Sequence, residues 1–254
     1  MKKYQYNFSD KISSVLDPNI RIKKARKTVA IIKDFLKKDN KSLEDTVCLD
    51  IGGSAGYVAK ELTSENIYRC YVVDIDEKAL QFGKENNSDK KIIYQKGDAL
   101  NLPFPDNTFD IVICNQVYEH VPSPEKMVKE IFRVLKFGGI CYFGAGTKYV
   151  IKERHYNLYF LSWLPKRIAD KYVKLMHKGN EFYETLYSFR QLKNLLLDFK
   201  IFDYTRNILN EPDKFYASDD VFKFKFINKL ISKFYFILKY ISPGVIFILK
   251  KERI

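Results

Sequence analysis

A chain of 254 residues is long enough for one large domain with a buried core, and its 46% hydrophobic and 30% charged residues exclude a disordered or fibrous protein. The formal net charge of +13 is unevenly spread: residues 1–45 carry +6, 46–150 carry −2, 151–220 carry +2 and 221–254 carry +7. A nearly neutral middle between basic ends permits an anionic partner, whether a phosphorylated molecule, a nucleic acid or a membrane surface, without choosing among them.

Residues Met1 to Asp10 lack the apolar run of a signal peptide, and no window reaches the roughly 18 uncharged apolar residues of a membrane-spanning helix. Ile22, Val29, Ile32, Phe35 and Leu36 recur at helical spacing among lysines and arginines, which predicts an amphipathic helix over residues 20–38. Strands are then expected at Val47–Ile51, Arg69–Ile75, Lys91–Gln95, Phe109–Cys114 and Ile140–Gly144. Helices are expected from Tyr57, from Glu77 and over Pro124–Lys136, the last with proline in its first turn and Gly138-Gly139 at its end. Strand and helix alternating at this interval mean βαβ units, a parallel sheet and ligand chemistry at the carboxyl ends of the strands.

The rhythm breaks after residue 146. Residues 147–187 are rich in tyrosine, lysine and histidine and suit a lid. A helix over Ser188–Phe199, a strand over Lys200–Leu209, an amphipathic helix at 221–241 and a final strand at Val245–Leu249 complete the same domain. The organisation expected is therefore an N-terminal helical segment at 1–45, a core at 46–146, a lid at 147–187 and a closing part at 188–254. Cys48, Cys70, Cys114 and Cys141 are widely spaced in apolar runs, which fits buried free thiols in a reducing cytoplasm and supplies no metal site.

The most informative stretch is Asp50-Ile51-Gly52-Gly53-Ser54-Ala55-Gly56, where a strand turns sharply through glycines into a helix and exposes backbone N–H groups to a ligand. Asp74 ends the second strand, 18 residues after Gly56, where its carboxylate can accept hydrogen bonds from ribose hydroxyls. Asp98, before Ala99, follows the third strand and can accept from an exocyclic amine, and Asn115 closes the fourth. Acceptors at successive strand ends describe a nucleoside pocket.

The ordered set Leu49-Asp50-Ile51-Gly52, Asp74-Ile75, Gly97-Asp98-Ala99, Phe109-Asp110-Ile111-Val112, Glu119-His120-Val121 and Val134-Leu135-Lys136-Phe137-Gly138-Gly139 resembles class I S-adenosylmethionine-dependent methyltransferases. The resemblance covers about residues 46–146. It implies a Rossmann-like α/β fold with a mostly parallel seven-stranded sheet flanked by helices, an N-terminal helix, and a helical and aromatic lid after the fifth strand. It further implies S-adenosylmethionine as cofactor, with Asp50, Gly52, Gly53, Ser54 and Gly56 cradling the methionine part. Asp74 and Ile75 would meet the ribose, Asp98 and Ala99 the adenine, and Asn115 would stand beside the reacting methyl. Ser54 and Phe137 depart from the family pattern, which has glycine and often proline at those places.

Gly52-Gly53-Ser54-Ala55-Gly56 also fits the nucleophile elbow of α/β-hydrolases, but only one strand precedes it and no oxyanion loop lies upstream. A dinucleotide dehydrogenase would need glycines where Ser54 and Tyr57 stand. A non-catalytic module that binds the same cofactor is a third alternative.

His155 in the lid and His120 after the fourth strand are the candidate catalytic groups, whereas His177 suits an exposed helix end. Tyr156, Tyr159, Phe160 and Trp163 offer lid core or stacking faces, and Lys148, Lys152, Arg154, Lys166 and Arg167 offer partners for phosphate. His155-Tyr156-Asn157-Leu158, Leu161–Lys166 and Ile241–Lys250 are loosely similar to methyltransferases of bacterial surface-glycan pathways. The expected reaction is O-methylation of a small sugar-containing or phosphorylated precursor, with a quinone-like or RNA acceptor as alternatives, although no RNA-binding module accompanies the Val221–Phe226 run. For the 221–241 helix the ordinary reading is packing on the domain edge with snorkelling lysines, and peripheral membrane contact is the other.

Overall fold

The computed structural model describes residues 17–153, 155–223 and 225–252. Residues 1–16 of the N-terminal segment and Arg154, one of the lid cations, lie outside them. Helix α1 (Pro18–Lys38) opens with Asp17, whose side chain accepts the Asn19 N–H at 2.9 Å, and with proline in the first turn. Strand β1 (Val47–Ile51) follows, then α2 (Tyr57–Thr63), β2 (Arg69–Asp74), α3 (Glu77–Asn86), β3 (Ile92–Lys96), β4 (Phe109–Asn115), α4 (Pro124–Val134) and β5 (Leu135–Gly146).

The short strands β6 (Lys152–Glu153) and β7 (Leu158–Tyr159) and helix α5 (Lys166–Leu175) fill the predicted lid. The chain closes with α6 (Phe189–Leu195), β8 (Lys200–Asp203), α7 (Thr205–Asn210), α8 (Lys225–Lys233), α9 (Tyr235–Leu238) and β9 (Gly244–Lys250). The main sheet has seven strands in the order β3-β2-β1-β4-β5-β9-β8. Its first five run parallel, and β9 pairs antiparallel with both β5 and β8.

Because strand side chains alternate, each buried strand feeds both layers of the core. Leu49, Val112, Cys141 and Phe143 pack toward Met127, Val128 and Ile131 of α4, while Cys48, Ile111, Ile113 and Tyr142 pack toward Val29, Ile32 and Phe35 of α1 and Leu62 of α2. All four cysteines are buried free thiols. Ile22 departs from the expected apolar face of α1, standing exposed.

Three boundaries differ from the sequence reading. Helix α4 stops at Val134 instead of Lys136, because Leu135 is already extended and pairs with Phe109, and the Lys136 ammonium binds both Asp110 carboxylate oxygens at 2.9 Å. Gly138 and Gly139 consequently sit inside β5, where a side chain at Gly139 would reach 2.9 Å from the Asp110 carbonyl. The predicted strand Lys200–Leu209 keeps only its first four residues, since Asp203 accepts the Thr205 N–H at 3.0 Å and starts a helix. The 221–241 helix breaks into α8, α9 and a 3-10 turn at Lys239–Ile241.

Past β9 the chain is anchored by one buried cation. Lys251 donates to Asn107 Oδ1 at 2.9 Å and to the Phe132 and Leu135 carbonyls at 2.7 Å, with its ammonium 4.6 Å from the ring centres of Phe132 and Phe137. Removing it strands buried acceptors, each of which costs about 1–3 kcal/mol. Lys251→Met should therefore lower unfolding stability in urea by about 2–4 kcal/mol, on the scale set by broken buried hydrogen-bond networks.

Candidate functional site

The turn after β1 is held in a left-handed conformation at three places, with φ of +64° at Gly52, +52° at Ser54 and +71° at Gly56. A Cβ on Gly52 would lie 2.7 Å from Val117, and one on Gly53 would lie 2.7 Å from Val72 and 2.8 Å from the Asp50 carboxylate. The glycines thus let the turn settle between β2 and the segment after β4. Ser54 tolerates its positive φ because its N–H is tied to Asp74 Oδ2 at 2.9 Å. Its hydroxyl is buried and has no hydrogen-bond partner among the described residues. A hydrolase nucleophile would instead stand exposed beside a base.

Asp74 holds the turn from the other side as well, accepting the Asp76 N–H at 2.9 Å on Oδ1. Burial raises its pKa, and the Asp76 and Ser54 N–H groups oppose that rise. Asp50 lies beneath the turn, 4% exposed, and its Oδ2 has no hydrogen-bond partner among the described residues. Burial pushes its pKa up to about 7, Arg21 opposes the shift and the Asp74 charge adds to it. Arg21 itself comes from α1 and feels the charges of Asp50, Asp74 and Tyr57. Asp98 accepts the Leu100 N–H at 2.8 Å, with buried Ala99 between them. Asn115 covers Gly144, where a Cβ would fall 2.2 Å from its Oδ1.

The strand order places these groups in spatial sequence at adjacent carboxyl ends: Asp98 and Ala99, then Asp74 and Ile75, then the glycine turn, then Asn115. The buried oxygens of Asp50 and Ser54 are acceptors that ligand donors can satisfy.

A second group of polar residues adjoins it. His155 Nδ1 lies 2.9 Å from Glu153 Oε1 and 3.3 Å from Glu184 Oε1, and both carboxylates are buried. The His120 and His155 ring centres are 5.0 Å apart, and buried Glu119 takes the Thr185 N–H on its carbonyl at 3.1 Å. Tyr183 donates its hydroxyl to the His120 carbonyl at 3.4 Å and its N–H to the Tyr156 hydroxyl at 3.0 Å. The stretch after β5 therefore packs on the segment that carries Val117, which touches the glycine turn.

One ligand atom each from Glu153, His155 and Glu184 lies within 4.8 Å of the others, an arrangement that can hold a cation. The two carboxylates are 31 residues apart in the sequence, so no ligand spacing marks the group there. Burial disfavours protonation of His155, but its hydrogen bond to Glu153 and the charges of Glu153, Glu184 and Glu119 outweigh that and raise its pKa.

Four of the five cations expected to meet phosphate have other settings. Lys166 pairs with Asp170 at 2.7 Å and Glu181 at 3.3 Å, Lys148 and Lys152 lie over the Tyr149 and Tyr159 rings, and Arg167 is exposed. Tyr159, Phe160 and Trp163 are about half exposed on the outside of the lid, whereas Tyr156 packs on Phe182 within it. His177 is exposed, as its sequence setting suggests.

Sequence reasoning missed Arg21, Glu153 and Glu184. Arg21 had a signal, since it stands four residues before buried Ala25 on the inward face of α1. Asp50 gives the site a pH signature. Its folded pKa lies above the unfolded value, so the folded state binds the extra proton and stability falls as pH rises from about 4 through 7. Asp50→Asn lacks that charge, so its stability relative to the parent in urea should grow by about 1–4 kcal/mol between pH 5 and pH 8.

Residues 49–143 match the family model described as a methyltransferase domain. The sterol 24-C-methyltransferase of Schizosaccharomyces pombe is 40% identical over 98 residues, which is 36% of this chain and 25% of that protein. The demethylmenaquinone methyltransferase of Staphylococcus haemolyticus is 36% identical over 117 residues, 45% of this chain and 47% of that protein. The chain thus spans between a quarter and about half of the length of these relatives. Among solved structures, the Haemonchus contortus phosphoethanolamine N-methyltransferase 2 in complex with S-adenosyl-L-methionine superposes with a TM-score of 0.54 at 21% identity, over 89% of this chain and 52% of that one. Residues 49–143 therefore match a methyltransferase domain, and the chain as a whole has the Rossmann-like fold of these solved structures.

Proposed function

We propose that this chain is an S-adenosylmethionine-dependent methyltransferase that methylates a hydroxyl of a small acceptor enclosed by residues 147–187. The observation that carries the reading is the row of ligand groups along four neighbouring strand ends, inside the residues that match the methyltransferase domain. When bound, the cofactor supplies an activated methyl group on a sulfonium. Asp74 accepts from the ribose hydroxyls, Asp98 and the Ala99 backbone frame the adenine, and the Gly52–Gly56 turn receives the methionine part. Arg21 suits the cofactor carboxylate, and Asn115 stands at the strand end nearest the acceptor.

The protein's share of the chemistry is to align the acceptor oxygen, exclude water and take a proton. His155 is the group proposed for that proton, held in orientation by Glu153 and Glu184, with His120 next to it. A histidine positioned between two buried carboxylates favours a catalytic protein over a binding module. The carboxylates around His155 also oppose phosphate, so the phosphorylated acceptor is the weaker form of the expectation and RNA weaker still. A neutral hydroxyl acceptor fits. Carboxylates can receive the hydroxyls of a sugar-containing precursor of a surface polysaccharide, and a quinone-like acceptor is the second class, favoured by the likeness to a demethylmenaquinone methyltransferase.

Asp74→Ala should weaken cofactor binding about 10- to 100-fold in calorimetry, the range for a lost hydrogen bond to a charged group. Binding unchanged by that substitution would remove the cofactor assignment. With labelled cofactor, sugar-containing precursors and quinone precursors offered side by side should show which class accepts the methyl.

His155→Ala should lower turnover about 10²-fold or more and leave cofactor affinity nearly intact. Because Glu153 helps to raise the His155 pKa, Glu153→Gln should move the acidic limb of the kcat profile to lower pH. An acidic limb that stays in place would leave His155 as lid structure only.

A further inference from the structure

Residues 222–241 have the wrong polarity for a packed element. Helix α8 turns Asn228 and Ser232 inward, where they are 2% and 3% exposed. Asn228 holds the preceding loop, accepting the Phe222 N–H at 3.1 Å and donating to the Phe222 carbonyl at 2.8 Å. Tyr235 is also inward, and its hydroxyl donates to the Asp203 carboxylate at 2.9 Å. The outward side carries Phe222, Leu230, Phe234, Phe236, Ile237 and Ile241, each between 44% and 63% exposed. This overturns the expectation that the apolar stripe packs on the domain edge with lysines snorkelling past it. The stripe is on the outside, and polar side chains make the contact with the protein.

Charge selects the occupant of this face. Lys223, Lys229 and Lys233 are exposed beside the apolar residues, and no acidic residue occurs between Val221 and Lys251. Bulky apolar groups interleaved with lysines suit a surface that is apolar below and anionic above, which describes the headgroup layer of an anionic membrane. Among the described residues no helix is long and apolar enough to cross a membrane, so the elements would lie in its plane.

The position is equally informative. The chain leaves this segment at Ile241 and enters β9 at Gly244, opposite Gly146, where the lid leaves β5. The Thr147 N–H donates to the Pro243 carbonyl at 3.0 Å. The apolar face therefore ends at the root of the lid.

We infer that residues 222–241 dock the protein onto an anionic lipid bilayer with the lid root held at the lipid surface. A membrane-dissolved acceptor would reach the lid directly from that position, but docking itself does not depend on the proposed reaction.

Flotation with phosphatidylcholine vesicles, with and without phosphatidylglycerol, at low and moderate salt tests this on the full chain. The expected result is binding to the phosphatidylglycerol vesicles that salt weakens, with little binding to phosphatidylcholine alone. Leu230→Ser combined with Phe234→Ser and Ile237→Ser should reduce the bound fraction at least tenfold, and so should Lys229→Glu with Lys233→Glu. Circular dichroism and cofactor calorimetry should read as for the parent, which keeps a failure of docking distinct from a failure of the cofactor site. Three results would overturn the inference: no vesicle binding at low salt, undiminished binding by both variants, or a dimer in solution that the serine variant dissociates. Binding of single-stranded RNA in preference to vesicles would overturn it too.

Discussion

The carboxylate of Asp74 ties the N–H of Ser54 on one oxygen and that of Asp76 on the other. A single side chain at the end of β2 thereby fixes the turn after β1 and the start of α3, two of the elements that shape the crevice. The glycines at 52 and 53 are needed because Val117, Val72 and Asp50 close in around that fixed turn. Burying two carboxylates within one crevice is costly in isolation, and Arg21, reaching in from α1, offsets part of that cost. The N-terminal helix is thus an electrostatic part of the site as well as a cover for the sheet.

The lid repeats this logic with different chemistry. Glu153 and Glu184 are buried on either side of a histidine, and the raised pKa of His155 is the response of a titratable group to that setting. Lys166 of the same segment, by contrast, pairs with Asp170 and Glu181, and Lys148 and Lys152 lie over aromatic rings. Its outward charge therefore says little about what its inner wall recognises.

The sheet and the row of polar groups at its strand ends were legible because both rest on local patterns. Apolar runs marked β1 to β5 and β9, and Asp74 and Asp98 stand at or just past the strand ends that those runs locate. Boundaries were lost where a single side-chain contact decided the matter. Lys136 is drawn to Asp110 where α4 ends early, and Asp203 takes the Thr205 N–H where a helix begins inside what reads as a strand. The Glu153–His155–Glu184 group was illegible because its carboxylates come together only when the lid folds back on itself. The 221–241 segment misled for a subtler reason. Helical periodicity identifies two faces, but it does not say which of them looks inward, and here Asn228 and Ser232 take the buried one.

The strand order also dictates when parts of the molecule can form. β8 meets the main sheet only through β9, yet β9 comes more than forty residues later and must first lie down beside β5. A growing chain that has produced β8 and α7 therefore has no edge on which to place that strand, and Ile201 and Phe202 must wait in water or against α1. The antiparallel corner, and the contact of Pro243 with Thr147 beside it, can close only once β9 is in place.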